Sequence, residues 1–199
     1  MNCEICNVKI NKKLINLGLQ PIPDNLSSNK KKSITKKKYQ TKVLFCPKCL
    51  TAQQRYTVRK KDLYKKNYSY RAKNTKDVVI GLKNLSNQIK KNINLKHRCK
   101  VLDIGCNDGT FLNFFNKKNF LTYGIEPTGA AKDCSQKHKI YNNFFDISVA
   151  KKFLKENGKP DVIVFTNVFA HIENLSQILE ALNILIGNKT LLVIENHYL

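Results

Sequence analysis

The sequence predicts an α/β fold, a Rossmann-like doubly wound parallel sheet preceded by a small cysteine-bearing module, and three observations carry that prediction. From Cys99 onward, short β-branched and aromatic runs alternate with segments of helical period. Within that region VLDIGCNDGTFL, Val101 to Leu112, passes from β-formers through a glycine-bearing loop into an apolar stretch. Upstream, Cys3-Glu-Ile-Cys6 and Cys46-Pro-Lys-Cys49 repeat one two-cysteine spacing.

The elements follow in order. Each CxxC knuckle offers two thiolates from one tight turn, and Cys3, Cys6, Cys46 and Cys49 together are the donor set of a tetrahedral zinc site. With all four positions filled by Cys, no coordination position remains for water, so such a zinc is structural. The segment is too poor in apolar residues to build its own core, and the metal would supply much of its folding free energy. Between the knuckles, the prolines of Leu17 to Leu26, LGLQPIPDNL, impose an extended course. Strands are expected at 39–45 and 51–58, and LYKKNYSYR then brings Tyr64, Tyr68 and Tyr70 close to Arg71. Val78, Val79, Leu82, Leu85, Ile89 and Ile93 recur at helical spacing, which predicts a helix over 76–94. Beyond it strands are expected at 100–104, 121–126, 139–141, 161–166 and 190–195, with helices near 109–117, 129–137, 146–157 and 171–187. The resulting organisation is a zinc-binding module over 1–75, a bridging helix over 76–97 and a nucleotide-type domain over 98–199.

Composition narrows the setting. No apolar run is long enough to cross a bilayer, and MNCEICNVKI lacks the basic start and apolar core of a secretory signal, so a cytoplasmic location and reduced thiols are expected. The net charge of +22 is concentrated: residues 1–100 hold 26 Lys and Arg against four acids, while residues 101–199 hold ten of each. Arg55, Arg59, Arg71 and Arg98 are the only arginines, and Lys, Asn and Ile abound throughout. Coding bias alone produces that pattern, so the runs Lys30–Lys32 and Lys36–Lys38 read first as a solvated loop and second as a polyanion site.

The loop itself speaks to a ligand. A strand, a glycine turn and a helix start aim backbone N–H groups at a nucleotide-like molecule. No Gly-Lys-Ser/Thr follows, and Gly105 and Gly109 flank Cys106, Asn107 and Asp108 rather than forming GxGxxG, so a phosphate cradle is disfavoured. Asp103 at the strand end would repel a phosphate but suits an ammonium, and S-adenosylmethionine carries both an ammonium and a sulfonium. Glu126, closing the run FLTYGIE at the end of the next strand, is placed to accept both hydroxyls of a ribose. Cys99, Cys106 and Cys134 have no paired spacing and read as small packing residues; His97, His138 and His197 read as surface histidines.

With DVIVFTNVFAH at 161–171 added, the chain resembles the class I S-adenosylmethionine-dependent methyltransferases. The CxxC pair, LGLQPIPDNL, the Tyr-x-Tyr stretch, DIGCNDGTFL, GIEP and NVFAHI together resemble the C-methyltransferases of nucleoside-diphosphate-linked keto-deoxysugars. That resemblance implies methylation of a carbon next to the sugar ketone: a base removes the α-proton, the enolate is stabilised, and its carbon attacks the sulfonium methyl in line. It implies that Asp103, Gly105, Cys106, Asn107, Gly109 and Glu126 line the cofactor, with Asn167 near its methionine end or the sugar, and that Tyr68 and Tyr70 lie by the substrate. Tyr70 is the catalytic candidate present, although a phenol with an ordinary pKa of about 10 is a reluctant base. His171 is expected to close the cofactor pocket or begin the next helix. The family's Tyr-x-Glu-His stretch does not occur before Leu199, and five of the seven strands of a methyltransferase sheet are supplied, so the chain reads as a C-terminally incomplete, N-terminal portion of a longer protein, inactive in turnover by itself. The rival readings are an RNA base methyltransferase with a zinc module, which the basic first half suits, and a zinc- and cofactor-binding chain without turnover.

Overall fold

The computed structural model describes residues 1–22, 37–93, 98–115 and 118–196. His97, His197, the run Lys30–Lys32 and Lys36 lie outside the described residues. The chain divides into two compact units, Met1–Leu63 and Tyr64–Leu199, so residues 64–75 cluster with the second.

The first unit is a three-stranded antiparallel sheet in the order β1 (Lys13–Pro21), β2 (Lys38–Phe45) and β3 (Ala52–Gln54), followed by a single turn of helix, α1 (Lys60–Leu63). The strand expected over 51–58 is confined to Ala52–Gln54, which pair with Val43–Phe45. The extended course expected from Leu17 begins earlier, at Lys13, and bulges where Gly18 takes a φ of 71°. The buried apolar cluster here consists of Ile10 and Leu44 beside Cys3 and Cys46, with Cys6 and Cys49 packed against it. A core this small cannot offset the conformational entropy of some sixty residues.

The second unit opens with α2 (Lys76–Asn92) and contains a five-stranded parallel sheet in the order β6-β5-β4-β7-β8. Its strands are β4 (Cys99–Ile104), β5 (Phe120–Ile125), β6 (Lys139–Tyr141), β7 (Val162–Thr166) and β8 (Leu191–Glu195), and the helices α3 (Ile147–Asn157) and α4 (Leu175–Leu185) follow β6 and β7. β4 and β7 are almost continuously apolar, as strands buried on both faces must be. α3 and α4 start on side-chain caps: Asp146 Oδ1 accepts from Val149 N at 2.9 Å, and Asn174 Oδ1 from Gln177 N at 3.1 Å. Gly158, at a φ of 72°, ends α3.

Two expected helices do not form. In place of 109–117 there is one 3₁₀ turn, Leu112–Phe114, because Asp108 locks Thr110 through both its N–H and its hydroxyl while Phe111, Phe115 and Phe120 stack edge to face in the core. In place of 129–137 there is a 3₁₀ turn over Gly129–Asp133, capped by Thr128 and ended where Cys134 Sγ reaches Asn107 O at 3.3 Å. His138 is likewise no surface residue: it is buried, with Nδ1 2.7 Å from Thr122 Oγ1 and Nε2 3.1 Å from Asn113 Oδ1, tying β5 to the turn after β4.

Gly124 lies near the end of β5, against Cys106 of the loop after β4 and Ile140 of β6. A Cβ there would sit 2.4 Å from Cys106 Sγ and 2.7 Å from Ile140 Cδ1. Gly124→Ala is therefore expected to destabilise the second unit by about 1–3 kcal/mol through overpacking, read as a lowered urea midpoint at unchanged slope.

Candidate functional site

The cysteines of the first unit converge. The Sγ atoms of Cys3, Cys6, Cys46 and Cys49 lie within 4.8 Å of one another, with Cys3–Cys49 and Cys6–Cys46 each at 3.5 Å. Zn–S bonds of about 2.3 Å place tetrahedral sulfurs about 3.8 Å apart, so this donor set fits zinc. The two knuckles are built alike: Asn7 N donates to Cys3 O and Leu50 N to Cys46 O, and both Asn7 and Leu50 are left-handed, at φ of 57° and 60°. Burial opposes ionisation of Cys3, but the amides of Cys6 and Ile5 and the Cys49 thiol outweigh it and bring the thiol down to about 6. The amide of Cys49, against burial, likewise lowers Cys46. Two residues that no spacing announced support the sulfurs: Gln53 Nε2 donates to Cys3 Sγ at 3.1 Å while its Oε1 accepts from Glu4 N, and the Thr51 hydroxyl lies 3.1 Å from Cys49 Sγ.

In the second unit the candidate residues gather at the C-terminal ends of three adjacent strands. Asp103 lies near the end of β4 and the loop Gly105–Gly109 follows that strand, while Glu126 follows β5 and Asn167 follows β7. This is the crevice in which parallel α/β sheets bind ligands. Asp103 is fully buried, and neither of its carboxylate oxygens has a hydrogen-bond partner among the described residues. Burial, and then the charge of Glu126, push its pKa up to about 8. Asn167, left-handed at a φ of 55°, ties to β8 through its N–H on Glu195 O and its Nδ2 on Glu195 Oε2, and its buried Oδ1 is left unpaired. Unsatisfied buried carboxylate and amide oxygens are costly, and a ligand bearing an ammonium and N–H or O–H donors satisfies both.

Glu126 is already engaged: Oε2 accepts from Asn107 N at 2.9 Å and Oε1 from Thr128 N at 2.8 Å, so the carboxylate joins the glycine loop to the loop after β5. Each oxygen retains a lone pair that a ribose hydroxyl could use. Gly105 and Gly109 have φ of 79° and 76°; a Cβ on Gly105 would come within 2.4 Å of Val168 Cγ2, so that side chain fixes how closely the loops after β4 and β7 approach. Cys106 is buried, and its thiol is raised well above the ordinary value by Cys134, by burial and by Asp103, which makes it a packing group. Tyr64, Tyr68 and Tyr70 cluster, with centroids 5.7 Å apart for the first pair and 6.4 Å for the second, and Tyr70 is 39% exposed. His171 is exposed in the 3₁₀ turn Phe169–His171.

Comparison with known proteins agrees with this architecture. Residues 62–198 match the family described as "Methyltransferase domain", and residues 3–64 match the family described as "Putative zinc binding domain". The chain belongs to the methyltransferase-domain family, in the version that carries a cysteine module ahead of it. It is similar to the C-methyltransferase NovU of Streptomyces niveus, 20% identical over 201 residues covering 99% of this chain and 47% of NovU, so it spans about half the length of that relative. Among solved structures it is similar to the PH0226 protein of Pyrococcus horikoshii OT3, at 20% identity and a TM-score of 0.52, covering 68% of this chain and 63% of that one. It is also similar to CalS10, an amino pentose methyltransferase of Micromonospora echinaspora, at 13% identity and a TM-score of 0.45, covering 60% and 50%. No helix among the described residues is long and apolar enough to cross a membrane.

Purified protein is expected to hold one zinc per chain, and a strong chelator to unfold the first unit while the parallel sheet persists. Metal analysis with circular dichroism checks this, and full zinc occupancy in a Cys46→Ala/Cys49→Ala variant would remove the assignment.

Asp103 predicts a pH signature. Its folded pKa lies above the unfolded value of about 4, so its contribution to stability is full below pH 4 and is lost as pH rises through about 8. A ligand ammonium that replaces the proton should bind more tightly as pH climbs from 6 towards 8 and release a proton on binding. Calorimetry in buffers of different ionisation enthalpy reads that proton, and Asp103→Asn should abolish its release.

Proposed function

We propose that this chain binds S-adenosylmethionine in the crevice above β5, β4 and β7, holds a structural zinc on Cys3, Cys6, Cys46 and Cys49, and serves transfer of a methyl group to a carbon next to the ketone of a nucleoside-diphosphate-linked keto-deoxysugar. The observation that carries the reading is the unpaired, buried carboxylate of Asp103 beneath a glycine loop in a methyltransferase domain, a built complement for a cationic ligand. The likeness to a C-methyltransferase over nearly the whole of this chain supports carbon as the acceptor, and the Tyr-x-Tyr stretch beside the loop supports a sugar-sized substrate.

In this proposal Asp103 pairs with the ligand's ammonium, Glu126 accepts from the ribose hydroxyls and Asn167 orients the methionine end. The bound cofactor supplies a methyl group made electrophilic by its sulfonium. Asp103 and Glu126 fix the position of that methyl, and alignment is the main demand of the transfer. Tyr68 and Tyr70 form an aromatic wall on which a sugar ring can lie. Neither described histidine is poised as the base: both ring nitrogens of His138 are engaged and the His171 side chain is exposed. Tyr70 is the candidate that remains among the described residues, and a phenol is in general a reluctant base at neutral pH. Residues 1–199 are therefore expected to bind cofactor and sugar nucleotide without exchanging the α-proton into solvent.

Titration calorimetry tests the reading. Glu126→Gln should weaken S-adenosylmethionine binding by about 1.5–3 kcal/mol through loss of charge-assisted hydrogen bonds. A nucleoside-diphosphate 4-keto-deoxysugar should bind saturably to the cofactor-loaded protein, and Tyr70→Ala should weaken it. Salt-steep binding of RNA with no binding of the sugar nucleotide would instead favour an RNA substrate.

A further inference from the structure

We infer that Asn107 is a positioning residue that transmits cofactor occupancy to the tyrosine-bearing strap, residues 66–73; this rests on the cofactor reading proposed for the same loop. Asn107 is left-handed, at a φ of 50°, and that conformation turns its main chain and side chain towards different segments. Its N–H donates to Glu126 Oε2 at 2.9 Å, and its C=O accepts from Cys134 Sγ at 3.3 Å. Its side-chain amide grips the strap twice: Oδ1 accepts from Ala72 N at 3.0 Å and Nδ2 donates to Tyr70 O at 3.2 Å. One residue thus joins the acid at the end of β5 to the backbone on both sides of Arg71.

The strap has further ties. Asp108 Oδ2 accepts from Lys73 N at 3.2 Å, and Gly129 N donates to Lys66 O at 3.0 Å. A Cβ on Gly129 would sit 2.2 Å from that carbonyl, so the approach requires glycine. Arg71 donates through one Nη to Tyr68 O at 2.7 Å and Tyr70 O at 2.8 Å, and through Nε to the Asp133 carboxylate. None of these bonds ends on Glu126. The Asn107 bonds run directly from the pocket carboxylate to the main chain of Tyr70.

The physical consequence is directional. Without ligand, the charge of Glu126 disfavours that of Asp103, and among the described residues two loop amides orient the Glu126 carboxylate. Ribose hydroxyls on the free lone pairs of Glu126, and an ammonium beside Asp103, fix that carboxylate and with it the Asn107 amide. A fixed Asn107 then holds Ala72 N and Tyr70 O, which sets the carriers of Tyr68 and Tyr70. The substrate wall is ordered after cofactor binds, so the sugar nucleotide should bind second.

Asn107→Gly isolates the link, because glycine accepts the left-handed φ and keeps the N–H on Glu126 while losing both side-chain bonds. In the full chain, S-adenosylhomocysteine, the demethylated cofactor, should slow exchange of the Ala72 and Lys73 amides by at least about tenfold. In Asn107→Gly, compared at a concentration of S-adenosylhomocysteine that saturates that variant, those amides should change by less than about twofold. Arg71→Gln, which cuts a different tie, should retain the cofactor-dependent protection. Bound S-adenosylhomocysteine with an equally protected Ala72 in Asn107→Gly overturns the coupling alone, as does loss of protection in Arg71→Gln and not in Asn107→Gly. Failure of S-adenosylhomocysteine to bind the unaltered protein overturns the cofactor reading itself, and the coupling with it.

Discussion

Two carboxylates at the ends of neighbouring parallel strands govern the second unit. Asp103 and Glu126 are both buried, and like charges so placed disfavour joint ionisation. The fold satisfies one of them and leaves the other bare. Glu126 accepts two backbone N–H groups and thereby fixes both the glycine loop and the loop after β5, whereas Asp103 has no partner among the described residues. A buried group in that condition is stable only as the neutral acid or beside a cation, and it would favour a ligand that brings positive charge.

The strand framework was legible in the sequence because β4 and β7 are short runs rich in β-branched and apolar residues that alternate with segments of helical period, as buried parallel strands do. The zinc cluster was legible for a different reason: CxxC spacing is itself geometry, since one turn places both sulfurs. The helices expected over 109–117 and 129–137 show where pattern reading fails. Their apolar residues do face the core, but local hydrogen bonds hold the chain in 3₁₀ turns, and an Asx turn such as Asp108–Thr110 competes with a helix in a way that periodicity does not register. His138 was misplaced because a lone histidine carries no signal; Thr122 and Asn113, which bury it, are far away in sequence. Gln53 and Thr51 escaped notice for the same reason, since support for a thiolate depends on where the next strand starts. Asp103, Glu126 and Asn167 were legible as strand-end polar residues, but the engagement of Glu126 with loop amides was not.

The two units reach stability by unlike means. The second has an extensive core around aromatic residues such as Phe153 and Phe165, both fully buried. The first has Ile10 and Leu44 beside its cysteines, and it tolerates Leu50 in a left-handed conformation, a strain of about 1–2 kcal/mol for a residue with a Cβ. A unit with so little apolar burial can hold such strain only if something else fixes the knuckle, and four thiolates on one ion do so with bonds far stronger than packing. The lysine-rich composition of this unit is then compatible with stability, because its fold does not depend on apolar content.

The arrangement around Asn107 also bears on why a chain with this pocket would carry its tyrosines on a strap outside the sheet. A substrate residue mounted on a strand is fixed whether or not cofactor is present, so a sugar nucleotide could occupy the crevice unproductively. Mounted on a segment tied to the loop proposed to hold the cofactor, it would be placed only when the methyl donor is in position. The cost is a looser wall in the free protein, and the strap's main-chain ties to Asp108 and Gly129 limit that cost by holding its two ends. What remains adjustable lies between them, at Tyr68, Tyr70 and Arg71, which is the part of the strap that would face the reacting sugar.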